Sequence, residues 1–365
     1  TIPYQEGWPV DITEELSSII KIADIDNDNI KELVLVGLPN NYQPNKLYVF
    51  NNIGQIKEGF PIEGGIYFTG FPTLCDLDDN GKMEIIATWY GLHLIDDNGN
   101  EIWYHPYDGE IFQSKYLPYM TSVDDLDNDG KKEIVVTCYS GGAVFVFEPD
   151  GSVRERWPVI IPPRPGYTPP HIYNSASIGD IDNDGLKEII VGIDNGTAEL
   201  DPSQVFCFKP NGINCPGFPV GISPQGYRSK AVLIDIDNDS YLEIIIGKER
   251  SELNIYRYDG SLYPGYPLDK IVRKISTGDI NLDGNKDMTF VGGDYISGAK
   301  LNAYNILTKE FLPNFPIPPI TDADGTWYYT SPYLLDLSDN FGEEIATGAG
   351  NGGWVPDGKL FAFDL

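Results

Sequence analysis

Residues 179–192 read GDIDNDGLKEIIVG, placing Asp180, Asp182, Asp184 and Glu188 in one short loop directly before an apolar, β-branched run. Carboxylates this close repel one another, and the arrangement holds only with positive charge among them. Side-chain oxygens at the first, third, fifth and ninth positions, with the Leu186 carbonyl at the seventh, make a ligand set for a hard divalent cation. Calcium takes roughly six to eight oxygens in flexible geometry, magnesium keeps several waters, and zinc prefers nitrogen and sulfur, so the set points to calcium. Gly185 permits the sharp turn the loop needs. An EF-hand needs a glutamate at the twelfth position. Val191 stands there inside a strand pattern, and that reading fails.

The pattern returns along the whole chain. The first repeat offers Asp24, Asp26, Asp28 and Glu32 with the Ile30 carbonyl, the second Asp76, Asp78, Asn80 and Glu84 with that of Lys82. The third offers Asp125, Asp127, Asp129 and Glu133 with Lys131, and the fifth Asp235, Asp237, Asp239 and Glu243 with Tyr241. The sixth has Asp279, Asn281, Asp283 and Asp287 with Asn285. The seventh keeps Asp336, Ser338, Asn340 and Glu344; with two anions among them it is the weakest set. About six or seven structural calcium ions are expected. The leading aspartates recur roughly every 50 residues, a period that signals a solenoid or a propeller.

The elements that carry these loops repeat with them. Each loop lies between two strands, the second apolar on both faces, as in a strand sandwiched between neighbouring sheets. A third strand such as KLYVF or AVFVF follows, then a turn such as Asp150-Gly151, Asn211-Gly212 or Asp259-Gly260, a strong hairpin signal. A short fourth strand carries an aromatic-proline pair: Phe60-Pro61, Trp157-Pro158, Phe218-Pro219, Tyr266-Pro267 and Phe315-Pro316. Proline suits an outer edge strand, where it discourages pairing with other chains. The expected fold is all-β: one domain over 1–365, a seven-bladed β-propeller of four-stranded blades. The chain ends on a third strand, GKLFAFDL, and begins with the tail of a fourth, containing Trp8-Pro9. Residues 1–10 are therefore expected to complete the last blade and close the ring.

A formal net charge of −30 argues against nucleic acid as a partner, and no apolar run is long enough to span a membrane. The start at Thr1 without a signal peptide is read as a mature or trimmed form, with further domains possible in a longer precursor. Four cysteines lack zinc-site spacing. Cys207 and Cys215 flank a Pro-Asn-Gly turn, and either a cross-hairpin disulfide or two small buried thiols fits that placement.

The acidic loops resemble the calcium-binding FG-GAP and VCBS-type repeats of integrin α-subunits and of many secreted microbial proteins, and the resemblance covers essentially the whole chain. It implies a seven-bladed propeller with calcium in the first hairpins, an extracellular or cell-surface setting, and service in adhesion or binding. The Phe-Gly and Gly-Ala-Pro signatures of the integrin version are not clearly present, so integrin-like ligand recognition is not carried over.

Function is expected on the face opposite the acidic loops, where long connections are rich in rings. Residues 103–120 contribute Tyr104, His105, Tyr107 and Tyr116; residues 162–175 contribute Arg164, Tyr167, His171 and Tyr173. Trp327, Tyr328 and Trp354 come from the last repeat. Flat rings beside polar groups suit a glycan or an extended protein segment; the plainer use of the same rings is to pack the loops. Three readings stand: a glycan- or protein-binding module, a self-assembling structural or filament subunit, and a carbohydrate-active enzyme such as a polysaccharide lyase. For the last, no catalytic residues are assigned, because the histidines and arginine come from only two loops.

Overall fold

The computed structural model describes residues 7–12, 15–16, 20–38, 44–65, 71–163, 168–195, 203–223, 226–248, 252–269, 272, 275–292 and 300–318. Beyond these it describes the backbone strands Ile320–Asp322, Gly325–Leu335, Glu344–Asn351 and Gly358–Phe363. The chain divides into two compact units, one of Thr1–Ala176 with Pro210–Gly212, the other of Ser177–Lys209 with Ile213–Leu365.

Among the described residues the protein is all-β, and its antiparallel sheets follow the sequence repeat. The first unit holds the first three. In the third, Pro118–Asp124, Glu133–Cys138, Ala143–Phe147 and Val159–Ile160 pair in sequence order. The second sheet runs Thr73–Cys75, Glu84–Ala87, Gly91–Ile95, Glu101–Pro106. The first runs Lys21–Ala23, Glu32–Leu38, Lys46–Phe50, Ile62–Glu63, and Glu15–Leu16 adds to the far end of Glu32–Leu38.

The second unit continues with Ser177–Gly179, Glu188–Gly192, Ser203–Phe208 and Val220–Ser223. Two three-stranded sheets follow, Val232–Ile234, Glu243–Gly247, Leu253–Tyr256 and then Ile275–Gly278, Asp287–Gly292, Lys300–Asn305. In both, an isolated bridge takes the place of a fourth strand, Leu253 to Leu268 and Leu301 to Ile317. The last sheet is Ile320–Asp322, Gly325–Leu335, Glu344–Asn351, Gly358–Phe363, so its first long strand has a hairpin partner of its own. Of residues 1–10, expected to complete this sheet, 1–6 lie outside the described residues, and 7–10 form no strand, with Trp8 and Val10 packed against Leu35, Tyr48 and Phe50 of the first sheet.

The doubly apolar second strands are explained by what they face. Successive residues of a strand point to opposite sides of the sheet. Ile85 packs with Val34, Val36 and Leu47 of the first sheet, while Ile86 packs with Ile134, Val136 and Phe145 of the third. Ile244 and Ile246 join the core with Ile190 and Val205, and Ile245 joins the core with Met288 and Phe290. All of these isoleucines are fully buried. Each fully buried aliphatic side chain of this kind contributes about 1.5–3 kcal/mol.

The aromatic-proline pairs clasp rather than merely edge the sheets. All five, and Trp8-Pro9, have cis peptide bonds, and the residue before each is left-handed: Gly7, Gly59, Arg156, Gly217, Gly265 and Asn314. At Gly59 and Gly217 the close approach excludes a side chain, because a Cβ would stand 1.9 Å from the Asn98 and Asp259 carbonyl oxygens respectively. The ring then reaches the turn after the next third strand. Trp8 Nε1 donates to the Asn52 carbonyl (3.0 Å), Trp157 Nε1 to that of Pro210 (2.9 Å), and the Tyr266 hydroxyl to that of Ile306 (2.9 Å). Trp103, without a following proline, donates likewise to the Pro149 carbonyl.

Candidate metal centres

Six described acidic loops share one hydrogen-bond pattern. The leading aspartate accepts two backbone N–H groups, from the fifth and sixth positions. For Asp180 these are Asp184 (3.0 Å) and Gly185 (2.8 Å), and for Asp76 they are Asn80 (3.0 Å) and Gly81 (2.9 Å). Asp24, Asp125, Asp235 and Asp279 do the same. The fifth-position side chain accepts the N–H of the seventh residue, as Asp129 does from Lys131 and Asp283 from Asn285. The ninth-position carboxylate reaches back with one oxygen to the N–H of the second residue, Glu133 to Leu126 and Glu188 to Ile181. The sixth loop keeps this bond with the shorter Asp287, to Ile280 at 3.2 Å.

These bonds occupy one oxygen of the ninth-position carboxylate and leave the rest pointing inward. Asp26 Oδ1, Asp127 Oδ1, Asp182 Oδ1, Glu133 Oε1 and Glu188 Oε1 are buried and accept no hydrogen bond. Those are third- and ninth-position atoms. Buried oxygens of this kind are costly unless something positive completes them. In the first four repeats the first, third and ninth carboxylates bring ligand oxygens within 4.8 Å of one another; in the fifth, Asp235, Asp237 and Asp239 do so. The donor set is all oxygen, converging and anionic, and it fits calcium. Burial pushes Glu133 and Glu243 up to about 7 and raises Glu32, Glu84, Glu188 and Asp287 in the same direction. A bound divalent cation supplies the opposing field.

The loops depend on a backbone feature not evident from the ligand spacing. The fourth position is left-handed in all six: Asn27, Asp79, Asn128, Asn183, Asn238 and Leu282. Asparagine tolerates that conformation well, and its recurrence is the available signal. The sixth position is left-handed too, by glycine in four loops and by Asn29 and Ser240 in the other two. The leading residues of the seventh loop, including Asp336, Ser338 and Asn340, lie outside the described residues; Glu344 begins the strand Glu344–Asn351.

On the opposite edge of the sheets the rings have varied fates. Tyr116 is buried against Phe145, with the Lys115 ammonium 4.8 Å from its ring centre. His105, expected on this edge, lies instead against the acidic-loop end of the third sheet, binding the Gly151 carbonyl (2.7 Å) and stacking on Phe147, which pairs with Ile134 beside Glu133. Tyr104 stacks on His93 at 4.1 Å and donates to the Tyr90 carbonyl. Tyr107 donates to the Ser114 carbonyl. His171 and Tyr173 instead form a half-buried group with Tyr119 and Tyr139. Tyr139 sits at its centre, 5.6 Å from Tyr119, 4.9 Å from His171 and 5.3 Å from Tyr173 between ring centres. Tyr139 directly follows the strand Glu133–Cys138, so it reads in sequence as a strand end. Arg164, Tyr167 and Trp354 lie outside the described residues. Trp327 and Tyr328 are described in backbone only, opposite Asn351 and Gly350. Cys207 and Cys215 form a disulfide across the hairpin, leaving Cys75 and Cys138 free.

Residues 125–191, which span the third and fourth loops, match the family model described as FG-GAP-like repeat. A 123-residue stretch is 33% identical to integrin alpha-6 of Homo sapiens, covering 32% of this chain and 10% of that protein's length. Two solved structures share the fold at low identity. BamB from Moraxella catarrhalis is 10% identical, with a TM-score of 0.56 over 94% of this chain and 83% of its own. BBS1N, solved in complex with ARL6DN, is 10% identical, with a TM-score of 0.54 over 92% and 88%.

Proposed function

We propose that this FG-GAP-like repeat protein is a calcium-pinned β-propeller of seven blades that works outside the cell as a binding or adhesion module. Its ligand, a glycan or a protein segment, is taken on the face opposite the acidic loops. The observation that carries the reading is the contrast within the third sheet. One edge holds converging, buried carboxylate oxygens of Asp127 and Glu133, two of which accept no hydrogen bond. The other holds the half-buried rings of Tyr119, Tyr139, His171 and Tyr173. Calcium at the first edge fixes the hairpin between the first two strands, and the rings at the second edge are placed by strands so fixed.

Two further observations support parts of this reading. Trp8 gives the turn of the first sheet the same clasp that Trp157 gives the turn at Pro210, which is what a fourth strand of a preceding blade would do. The Cys207–Cys215 disulfide suits an oxidising compartment, and loops of this type suit extracellular calcium.

Affinity electrophoresis through neutral and acidic polysaccharides, with calcium present, tests the ligand. Retardation by one polymer, abolished by Tyr139→Ala, is the expected result for a glycan-binding face. Equal migration of both proteins through every polymer removes the glycan reading and leaves a protein partner.

A further inference from the structure

The loops differ in one respect that the ligand spacing does not reveal. In the fourth repeat the Lys209 ammonium stands 2.7 Å from Asp182 Oδ2, 2.8 Å from Asp184 Oδ2 and 2.9 Å from Glu188 Oε1. Those are the third, fifth and ninth positions of the loop. The Glu188 contact is an ion pair, and Glu188 is fully buried. In the third repeat Arg154 reaches Asp127 and stands 3.0 Å from the fully buried Glu133. Lys209 directly follows the third strand, and Arg154 returns from the turn beyond it, so two different backbone positions deliver a cation to the same place.

The second repeat is built otherwise. Among the described residues no ion pair reaches Glu84. Lys132 is engaged with Asp79 and the Asp76 carbonyl, and Lys82 with Asp97. In the fifth, Arg257 comes only within 3.9 Å of Asp237, and Tyr263 donates a neutral hydroxyl to it.

We propose that Lys209 and Arg154 are internal competitors of the metal. The third and fourth loops take a divalent cation only by displacing their own side chain, and they remain neutralised and closed without it. The second loop has no such substitute among the described residues and depends on the ion. A calcium ion sits about 2.3–2.6 Å from its oxygens, so it and the ammonium cannot share the same three carboxylates without strong repulsion. The protein thus carries two classes of calcium site, a tight class without a resident cation and a weak, self-sealing class with one. The proposal rests on the calcium reading above.

Calcium titration of the chelator-stripped protein by calorimetry tests it, comparing wild type with Lys209→Met, Arg154→Met and the control Lys300→Met. Lys300 opens the strand Lys300–Asn305 opposite Gly292, at the end away from the sixth loop. Each loop variant should move one site from the weak to the tight class, a gain of tenfold or more, and should melt lower than wild type in chelator but not in calcium. Lys300→Met should change neither. Calcium affinity that is unchanged or reduced in both loop variants overturns the proposal while leaving calcium binding intact. Absence of any calcium uptake by wild type overturns both readings. A loop variant that is misfolded in chelator is titrated from the calcium-loaded side by chelator competition, which reads the same affinity.

Discussion

The two edges of each sheet obey different rules. On the acidic edge, six described loops repeat the same bonds: two N–H groups on the leading aspartate, one on the fifth-position side chain, one on the ninth-position carboxylate. Their variation is conservative, with Asn29 or Ser240 adopting the conformation that glycine adopts elsewhere. On the other edge the described connections differ from one another. Tyr116 is core, Tyr107 is tied to the Ser114 carbonyl, and Tyr139 gathers three further rings. Repetition on one edge is what a shared ion requires; variation on the other is compatible with a ligand and equally with loop packing.

The sharpest way to break the comparison is to remove the ion. Chelation should lower the melting temperature by tens of degrees, because several ions bind only the folded chain and each contributes about 2.7 kcal/mol at a hundredfold excess over its Kd. A melt that is unchanged in excess chelator, followed by circular dichroism, would falsify the calcium assignment for all the loops together.

A single substitution then asks whether the buried carboxylate serves the ion or the fold. Glu84 is 5% exposed, and one of its oxygens accepts the Leu77 N–H. Glu84→Gln keeps an acceptor and removes the charge. With calcium bound it should destabilise by about 2–4 kcal/mol, since a buried cation loses a partner. In chelator the sign should reverse or vanish, because an unpaired buried anion has been neutralised. Parallel melts with and without calcium give the answer, and equal destabilisation in both would mean that Glu84 is structural.

The legibility of the molecule follows the same division. The acidic loops could be read residue by residue, since a ligand set is a local pattern and its period reports the repeat. The strands around them were legible for the related reason that doubly apolar runs such as 85–87 and 244–246 have few other homes. What escaped was non-local. The Lys209 and Arg154 cations come from different positions of the hairpin, and nothing in the loop's own spacing points to them. The aromatic-proline pairs were visible, but their role as clasps depends on a turn in the following repeat. Tyr139 was hidden because a ring at a strand end looks the same whether it packs or binds.

The clasp provides a smaller effect that is independent of metal. Trp157 is 6% exposed, and its indole N–H has the Pro210 carbonyl as partner. Trp157→Phe removes that bond and a little buried area, for a loss of about 1–2 kcal/mol. The loss should be the same with and without calcium, in contrast to Glu84→Gln. A calcium-dependent loss would show that the clasp and the loops are coupled, and that the acidic edge does not act alone in holding the strands.

The smallest expected effect on stability is also the one that decides function. Tyr139 is half-buried among Tyr119, His171 and Tyr173, and among the described residues it lies outside the hydrophobic cluster that holds Phe112, Tyr116 and Phe145. Tyr139→Ala should therefore cost only about 1 kcal/mol, a shift of a few degrees at most. If the ring group is a ligand platform, the same change should weaken binding tenfold or more, as expected for a central aromatic contact. Binding and melting measured on one preparation separate the two uses of a tyrosine. A lost ligand with a kept melt assigns the varied edge to recognition. A kept ligand with a melt lowered as far as that of Glu84→Gln in calcium would make both edges of the sheet structural, and the contrast between them would then concern only how stability is achieved.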